Sequence, residues 1–313
     1  MALRCGFSTT QPKGERVVRA AYCWPLIATC LIAVAVPLQP VQAAPKLDVL
    51  IVDGQNLHNW QGTTPVLREM LEKSGRFTVE VVTSPPKDAP ADAWAAFRPD
   101  FSKYDVVLTN YQGQRWPTEV EQAFVDYVNG GGGFVVYHFA VASWADWDAF
   151  NQMIGMGWRQ ADFGESLAMD DEGNIVRRAK GEGAGAGHGP QHPFEITVRD
   201  RKHPITKGLP PTWLHVQDEL YHGQRGPCAN MHILATAYDA PESGGTGLHE
   251  LMAWTVSYGK GRVFVTLLGH DVEQTNAPDS VALLTRGAEW VATGKVTIRV
   301  PKGIQVPSKE PAP

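Results

Sequence analysis

Residues 117–138 read PTEVEQAFVDYVNGGGGFVVYH, and the reading of this stretch decides the fold. Pro117 suits the first turn of a helix, Val120, Phe124 and Val128 recur at three-to-four spacing on one face, and Gly130 to Gly133 stop it. Phe134 to Tyr137 then forms an apolar strand with His138 at its carboxyl end. A helix that feeds directly into such a strand is half of a βαβ unit and predicts parallel pairing. The same alternation recurs on both sides. Leu47 to Val52 reads as a strand ending in Asp53-Gly54, Thr63 to Lys73 as a helix, Phe77 to Val82 as a second strand and Tyr104 to Thr109 as a third. Trp94 and Phe97 fall in a short helix, and Ser143 to Ile154 also reads as helical. Ile233 to Ala237, Leu251 to Val256 and Arg262 to Leu268 resume the sheet, and a last helix runs from near Pro278 to Gly294. The expected fold class is α/β, a three-layer sandwich on a mainly parallel sheet.

Between about 158 and 238 the alternation is lost. This excursion holds a turn at Asp170 to Asn174, a Gly-rich stretch from Gly181 to Gly189 and an apolar alternation at Phe194, Ile196 and Val198. So long an irregular region inside a domain points to function.

The N-terminus is set apart from this domain. Arg4, Lys13, Arg16 and Arg19 precede an apolar run from Ala20 to Val36, and Val41-Gln42-Ala43 follows as a small-residue cleavage signal. That order predicts a secretory signal peptide over 1–43, and hence an exported (periplasmic or extracellular) protein without a stable membrane span after cleavage. A membrane anchor is the alternative, although the run falls short of the ~20 apolar residues that span a bilayer. The chain has 313 residues and a net charge of −5; without the leader, 24 Lys+Arg stand against 32 Asp+Glu, a net charge of −8. An acidic surface excludes general nucleic-acid binding. Cys5, Cys23 and Cys30 leave with the leader, so Cys228 remains alone, without a disulfide partner. Its setting, Gly226-Pro227-Cys228-Ala229-Asn230, is that of an ordinary loop thiol rather than a nucleophile on a strand-end elbow. The domain is expected over 46–300, followed by a Pro-rich flexible tail at 301–313. The oligomeric state is left open.

Ligands of open parallel sheets bind outside the carboxyl ends of the strands. That rule selects Asp53, Gln55, Asn56 and His58 after the first strand, Tyr111 after the third, His138 after the fourth, and His270 and Asp271 after the last. The excursion adds Glu219, Tyr221 and His222, together with Trp158 and Arg159, and Trp144 lies in a nearby loop where an indole could stack on a sugar face. His188 and His192 flank a Gly-Pro-Gln link. Imidazoles and a carboxylate are what zinc or a similar divalent ion takes, so His138, His270 and Glu219 are candidate metal ligands or, without metal, an acid and base set. No helical His-Glu-x-x-His occurs. Gly130 to Gly133 precedes a strand where a dinucleotide fingerprint must follow one, and Gly181 to Gly189 lacks the Gly-Lys-Ser/Thr ending of a phosphate loop, so no nucleotide cofactor is expected.

Several of these segments together resemble one family. They are Asp53-Gly54-Gln55-Asn56-x-His58-x-Trp60, Phe134-Val135-Val136-Tyr137-His138, His203-Pro204-Ile205-x-x-Gly208-Leu209, Asp218-Glu219-Leu220-Tyr221, and Trp254 through Leu268-Gly269-His270-Asp271. In order, over about 47–294, they resemble the ThuA-like (trehalose utilisation) family. The resemblance implies a flavodoxin-like fold of the class I glutamine amidotransferase type, with His138 near the elbow where that fold carries its nucleophilic Cys and His270 placed like its catalytic His. Glutamine hydrolysis needs the thiolate, and none is in reach. The resemblance implies instead a role in sugar catabolism, including disaccharides oxidised to 3-keto forms. The leading expectation is a hydrolase or lyase acting on a disaccharide, glycoside or 3-keto-sugar, with catalytic His138, His270 and Glu219. The rival is a non-catalytic sugar-binding or scaffold protein on the same fold.

Overall fold

The computed structural model describes residues 45–306, so the leader and its cleavage site lie outside the described residues, as do 307–313. The first half follows the expected alternation: β1 (Leu47–Asp53), α1 (Trp60–Lys73), β2 (Phe77–Thr83), α2 (Ala91–Ala96), β3 (Val106–Thr109), α3 (Thr118–Gly130) and β4 (Gly133–Tyr137). α1 begins three residues before the Thr63 predicted, because the Asn59 side chain accepts from the Gly62 N–H and caps the exposed helix start. A 3-10 turn over His138–Ala142 takes up the chain after β4, so the predicted helix at 143–154 shortens to α4 (Asp148–Ile154). The second half contains β5 (Ser166–Met169), β6 (Ile175–Arg178), β7 (Gly187–His188), β8 (His192–Val198), β9 (Thr212–Asp218), β10 (Tyr221–His222), β11 (Met231–Tyr238), β12 (His249–Tyr258) and β13 (Gly261–Thr266), then α5 (Val272–Asn276) and α6 (Pro278–Thr293).

An 11-stranded sheet runs in the order β2-β1-β3-β4-β13-β12-β11-β8-β9, with β5 and β6 attached at β12. From β2 to β13 the pairing is parallel, and from β13 onward it is antiparallel. Strands β5 to β11 therefore run through the excursion, joined by irregular chain, and Asp170 to Asn174 is the hairpin turn between β5 and β6. α1, α5 and α6 pack together on one face of the sheet, and α3 and α4 lie on the other. Apart from the edge strand β2, the strands of the parallel half are buried on both faces, which is why they read as continuous apolar runs instead of alternating.

The antiparallel half curls. β9 stands four strands from β13, about 19 Å in a flat sheet, yet the Asp218 carboxylate at its end accepts a 2.8 Å bond from the Gly269 N–H beyond β13. Twist alone accumulates in this sense along a wide sheet. Here it is held by the Trp213 indole and the His215 ring of β9, which both reach Asp279 in the first turn of α6. The carboxyl ends of β4, β9 and β13 consequently meet at one place. Gln305 pairs with Leu214 on β9, which ties the start of the tail to the outer strand.

α6 crosses β13 closely at Gly287, where a Cβ would overlap the Phe264 ring. Helix propensity favours Ala over Gly by about 1 kcal/mol, whereas overpacking a filled core costs about 1–3 kcal/mol. Gly287→Val is thus expected to destabilise the protein by roughly 1–3 kcal/mol, read as a lowered urea midpoint with an unchanged m-value.

Candidate metal and substrate site

His138 sits in the first residue after β4 with φ of 44°, a left-handed conformation that a non-glycine residue adopts only where the surroundings impose it. Its Nδ1 lies 2.7 Å from the Leu267 carbonyl oxygen. A carbonyl only accepts, so Nδ1 carries the proton and Nε2 presents its lone pair. The Tyr221 hydroxyl donates to that Nε2 over 3.0 Å, and a Glu219 oxygen stands 3.6 Å from it. His270, at the end of the chain leaving β13, brings Nδ1 to 3.0 Å from the same Glu219 oxygen, but too far off-line for a hydrogen bond. The His58 ring stands edge-on to both other rings, with centroids 4.9 Å from His138 and 4.5 Å from His270.

One ligand atom each from His58, His138, Glu219 and His270 thus falls within 4.8 Å of all the others. His58 Nδ1, His270 Nδ1 and Glu219 Oε2 are buried and have no hydrogen-bond partner. Orphaned buried polar atoms are costly. Three of them on residues that converge at one place, of types that ligate zinc-like ions, fit a divalent cation. The electrostatics agree with close mutual approach. Burial and the neighbouring His138 and His270 push His58 down to about 4. Burial would raise Glu219, but His138 and His270 outweigh it and hold the carboxyl well below the usual carboxylate range. Burial, reinforced by Glu219, pushes the Tyr221 phenol far up, so that it remains an O–H donor.

The loops that carry these groups are tied together. Asn56 Oδ1 accepts from the His58 N–H, and its amide bonds Asn110 at the end of β3. Asn59 donates to Asp271, which also caps α5, so the His58 and His270 loops are joined. Asp218 accepts from the backbone N–H groups of Glu219, Gly269 and His270. Asn56 and Asp271, expected to touch substrate, act as positioning residues for the cluster.

Other expected contacts are corrected. Tyr111 is fully buried, with its hydroxyl on the Gln114 carbonyl, and Trp144 packs against it and Trp116 in the aromatic core. Arg159 is buried and spends its guanidinium on the carbonyls of Val141, Ser143 and Trp158 and on Asn151; burial pulls its pKa down to about 10. Gln55 bridges the Pro85 carbonyl and the Gln114 N–H. Asp53 is buried at the end of β1 and lines a separate cavity with Trp60 and Arg68, and burial raises its carboxyl. His222 turns away from the cluster to Asp239, 2.8 Å distant, because neighbours on a strand point to opposite faces and Tyr221 takes the inward one. Cys228 is buried, and burial pushes its thiol up to about 12, the opposite of the lowered pKa that an activated thiol needs.

Trp158 does reach the site, edge-on to Tyr221 at 4.6 Å and to Phe139 at 5.6 Å. His188 joins it without having been selected from the sequence. β7 and β10 pair antiparallel with His188 opposite Tyr221, which puts His188 Nε2 3.5 Å from the second Glu219 oxygen. Asp218 and His215 were missed as well. His215 donates to Asp218 and Asp279 at 2.9 and 2.6 Å, and although burial lowers its pKa these two carboxylates raise it to about 9. The raised value means that His215 contributes stability fully below pH ~6.5 and loses it as pH rises toward 9. The wild type should therefore lose melting temperature between pH 7 and 9, and His215→Gln should be less stable at pH 6.5 with most of that slope gone.

The family model for trehalose utilisation (ThuA) matches residues 48–291. The crystal structure of a thua-like protein from Parabacteroides merdae is 40% identical with a TM-score of 0.78, covering 84% of this chain and 95% of that one. A thua-like protein from Bacteroides uniformis, 17% identical with a TM-score of 0.55 over 84% of this chain and 97% of that one, shares the fold. No curated protein matches the sequence. Among the described residues no helix is long and apolar enough to cross a membrane. The chain belongs to the ThuA (trehalose utilisation) family and has its flavodoxin-like, class I glutamine amidotransferase-like fold.

Proposed function

We propose that this chain is an exported, divalent-metal-dependent enzyme that cleaves a disaccharide, glycoside or 3-keto-sugar by hydrolysis or elimination. One observation supports this reading above the others: His58, His138, Glu219 and His270 converge within 4.8 Å, and buried atoms of three of them lack any hydrogen-bond partner. These four residues would hold the ion. When bound, such an ion supplies Lewis-acid polarisation of an oxygen. A carbonyl at C3 of the sugar acidifies the neighbouring C–H, and glycosidic cleavage can then start from proton removal, without the paired carboxylates of ordinary glycosidases.

The remaining groups have defined tasks. The Leu267 carbonyl keeps the His138 proton on Nδ1 and so keeps Nε2 directed inward. The Tyr221 hydroxyl stays protonated and can orient a substrate oxygen. His188, partly exposed beside Glu219, is placed to take a proton from a substrate atom or return one. Its own Nδ1 faces the Gly189 carbonyl at 2.7 Å, so its Nε2 is the nitrogen free for that exchange. Trp158 and Phe139 wall the site with apolar surface suited to the C–H face of a sugar ring. Family membership supports the substrate class.

Elemental analysis of purified protein should find about one divalent ion per chain, and chelation should abolish conversion of a 3-keto disaccharide followed by mass spectrometry. His138→Ala and His270→Ala should each lose metal and turnover while keeping native circular dichroism. Tyr221→Phe should retain metal to within about 10–100-fold in affinity but turn over more slowly. Metal-free protein that binds sugar without forming product would favour the non-catalytic alternative. Export is tested separately: the N-terminus of protein recovered from outside the cytoplasm should be Ala44.

A further inference from the structure

The four residues of the cluster do not offer their donor atoms equally. His58 Nδ1, His270 Nδ1 and Glu219 Oε2 have no hydrogen-bond partner, whereas His138 Nε2 is taken by the Tyr221 hydroxyl over 3.0 Å. The Leu267 carbonyl, 2.7 Å from Nδ1, fixes the tautomer, so His138 has a single lone pair to give and it lies on Nε2. One lone pair accepts a hydrogen bond or ligates an ion, not both. A cation held by all four residues therefore displaces the Tyr221 O–H from His138.

The displaced hydroxyl cannot leave. Tyr221 is only 1% exposed, and its ring is clamped, with centroids 4.7 Å from His138, 4.6 Å from Trp158 and 5.9 Å from His188, on a strand paired with β7. The phenol oxygen thus stays beside the cluster, and only the O–H direction changes, by rotation about the C–O bond. No bond to hydrogen is made or broken. A buried O–H without an acceptor is costly, so it needs a new one. Glu219 Oε2 receives no hydrogen bond from it here, although a carboxylate is a stronger acceptor than a neutral imidazole, so that oxygen is badly placed for it. The hydroxyls of Tyr111 and Tyr137 differ, because they end on the carbonyls of Gln114 and Gly269, which a cation at the cluster does not claim.

The acceptor that remains is an oxygen brought in by a ligand. We propose that an ion bound at the cluster switches the Tyr221 O–H from His138 to an acceptor oxygen of the ligand, so that the ion has to bind before the ligand is held. One hydroxyl then has two successive partners. With His138 it satisfies a buried lone pair at the strained elbow, and with the ligand it supplies a directed donor. The proposal rests on the reading of the cluster as a cation site and adds the order of binding and the group that enforces it.

Calorimetric titration of chelator-treated protein with zinc or manganese, followed by titration of the loaded protein with acetate, tests it. Acetate offers only acceptor oxygens. Tyr221→Phe removes the competing O–H and should bind the ion at least as tightly as the wild type, by up to about tenfold, while the loaded variant binds acetate about two- to tenfold more weakly. Weaker ion binding by the variant overturns the exchange, since the hydroxyl then supports the ion instead of competing with it. Unchanged acetate affinity overturns it too. The wild type supplies a second measurement should the variant misfold: its tyrosines should stay protonated when the ion binds, and a tyrosinate band in the near-ultraviolet spectrum, the mark of a phenolate ligand, overturns the exchange. All three results leave the cation site standing. A wild type that takes up neither ion overturns the cation site and the exchange with it.

Discussion

The Asp218 carboxylate sits at the end of β9 and receives the N–H groups of Glu219, Gly269 and His270 together with the His215 ring. Every other feature of the site depends on this clasp. Glu219 directly follows the outermost strand of the antiparallel half, and His270 lies in the chain leaving β13 in the middle of the sheet. Nothing in the parallel framework brings them together. Asp218 does so from both sides at once, and His215 with Asp279 anchors it to α6. The arrangement is an imidazolium between two carboxylates in the interior, and removing either partner would leave a buried charge uncompensated. Such groups contribute geometry more than net stability. Here the geometry is the approach of one carboxylate to three histidines.

That approach is unfavourable by itself in neutral form. His188 places Nδ1 on a carbonyl and so turns its Nε2 lone pair toward Glu219, an anion, while the His138 Nε2 lone pair, 3.6 Å from the same carboxylate, takes the Tyr221 hydroxyl. A lone pair and a carboxylate facing one another repel. A positive charge placed among them reverses the sign of every one of these interactions. Protons can supply it, and so can an ion. The orphaned Nδ1 atoms of His58 and His270 favour the ion, because shared protons would produce in-line hydrogen bonds, and the 3.0 Å approach of His270 to Glu219 is out of line.

The framework of the fold is legible in the sequence because a parallel strand buried on both faces writes itself as an unbroken apolar run, as at Phe134 to Tyr137. His138 and His270 are legible for the same reason, since they stand where such runs stop. The excursion is not. β7 and β10 have only two residues each and no periodicity, so the pairing of His188 with Tyr221 exists only in three dimensions. Short sequence distance also misleads: Tyr221 and His222 are adjacent and face opposite ways. Trp144, Tyr111 and Arg159 fail for a third reason. They lie in connections, and connections are usually exposed, but the connections after β3 and β4 both fold back onto the aromatic core.

The elbow carries the largest departure from the chemistry that this fold hosts elsewhere. The strained backbone at His138 persists, with φ of 44°, although no thiol is there to be presented. Strain of about 1–3 kcal/mol survives only where surrounding structure over-determines it, and His138 meets that condition through the Leu267 carbonyl on one nitrogen and the Tyr221 hydroxyl on the other. A left-handed residue at the end of a central strand lifts its side chain off the sheet edge toward the neighbouring strand ends. That property is indifferent to whether the side chain is a nucleophile or a ligand. With an imidazole there, and with β9 curled inward to bring up Glu219, the same elbow forms one corner of the cluster of His58, His138, Glu219 and His270.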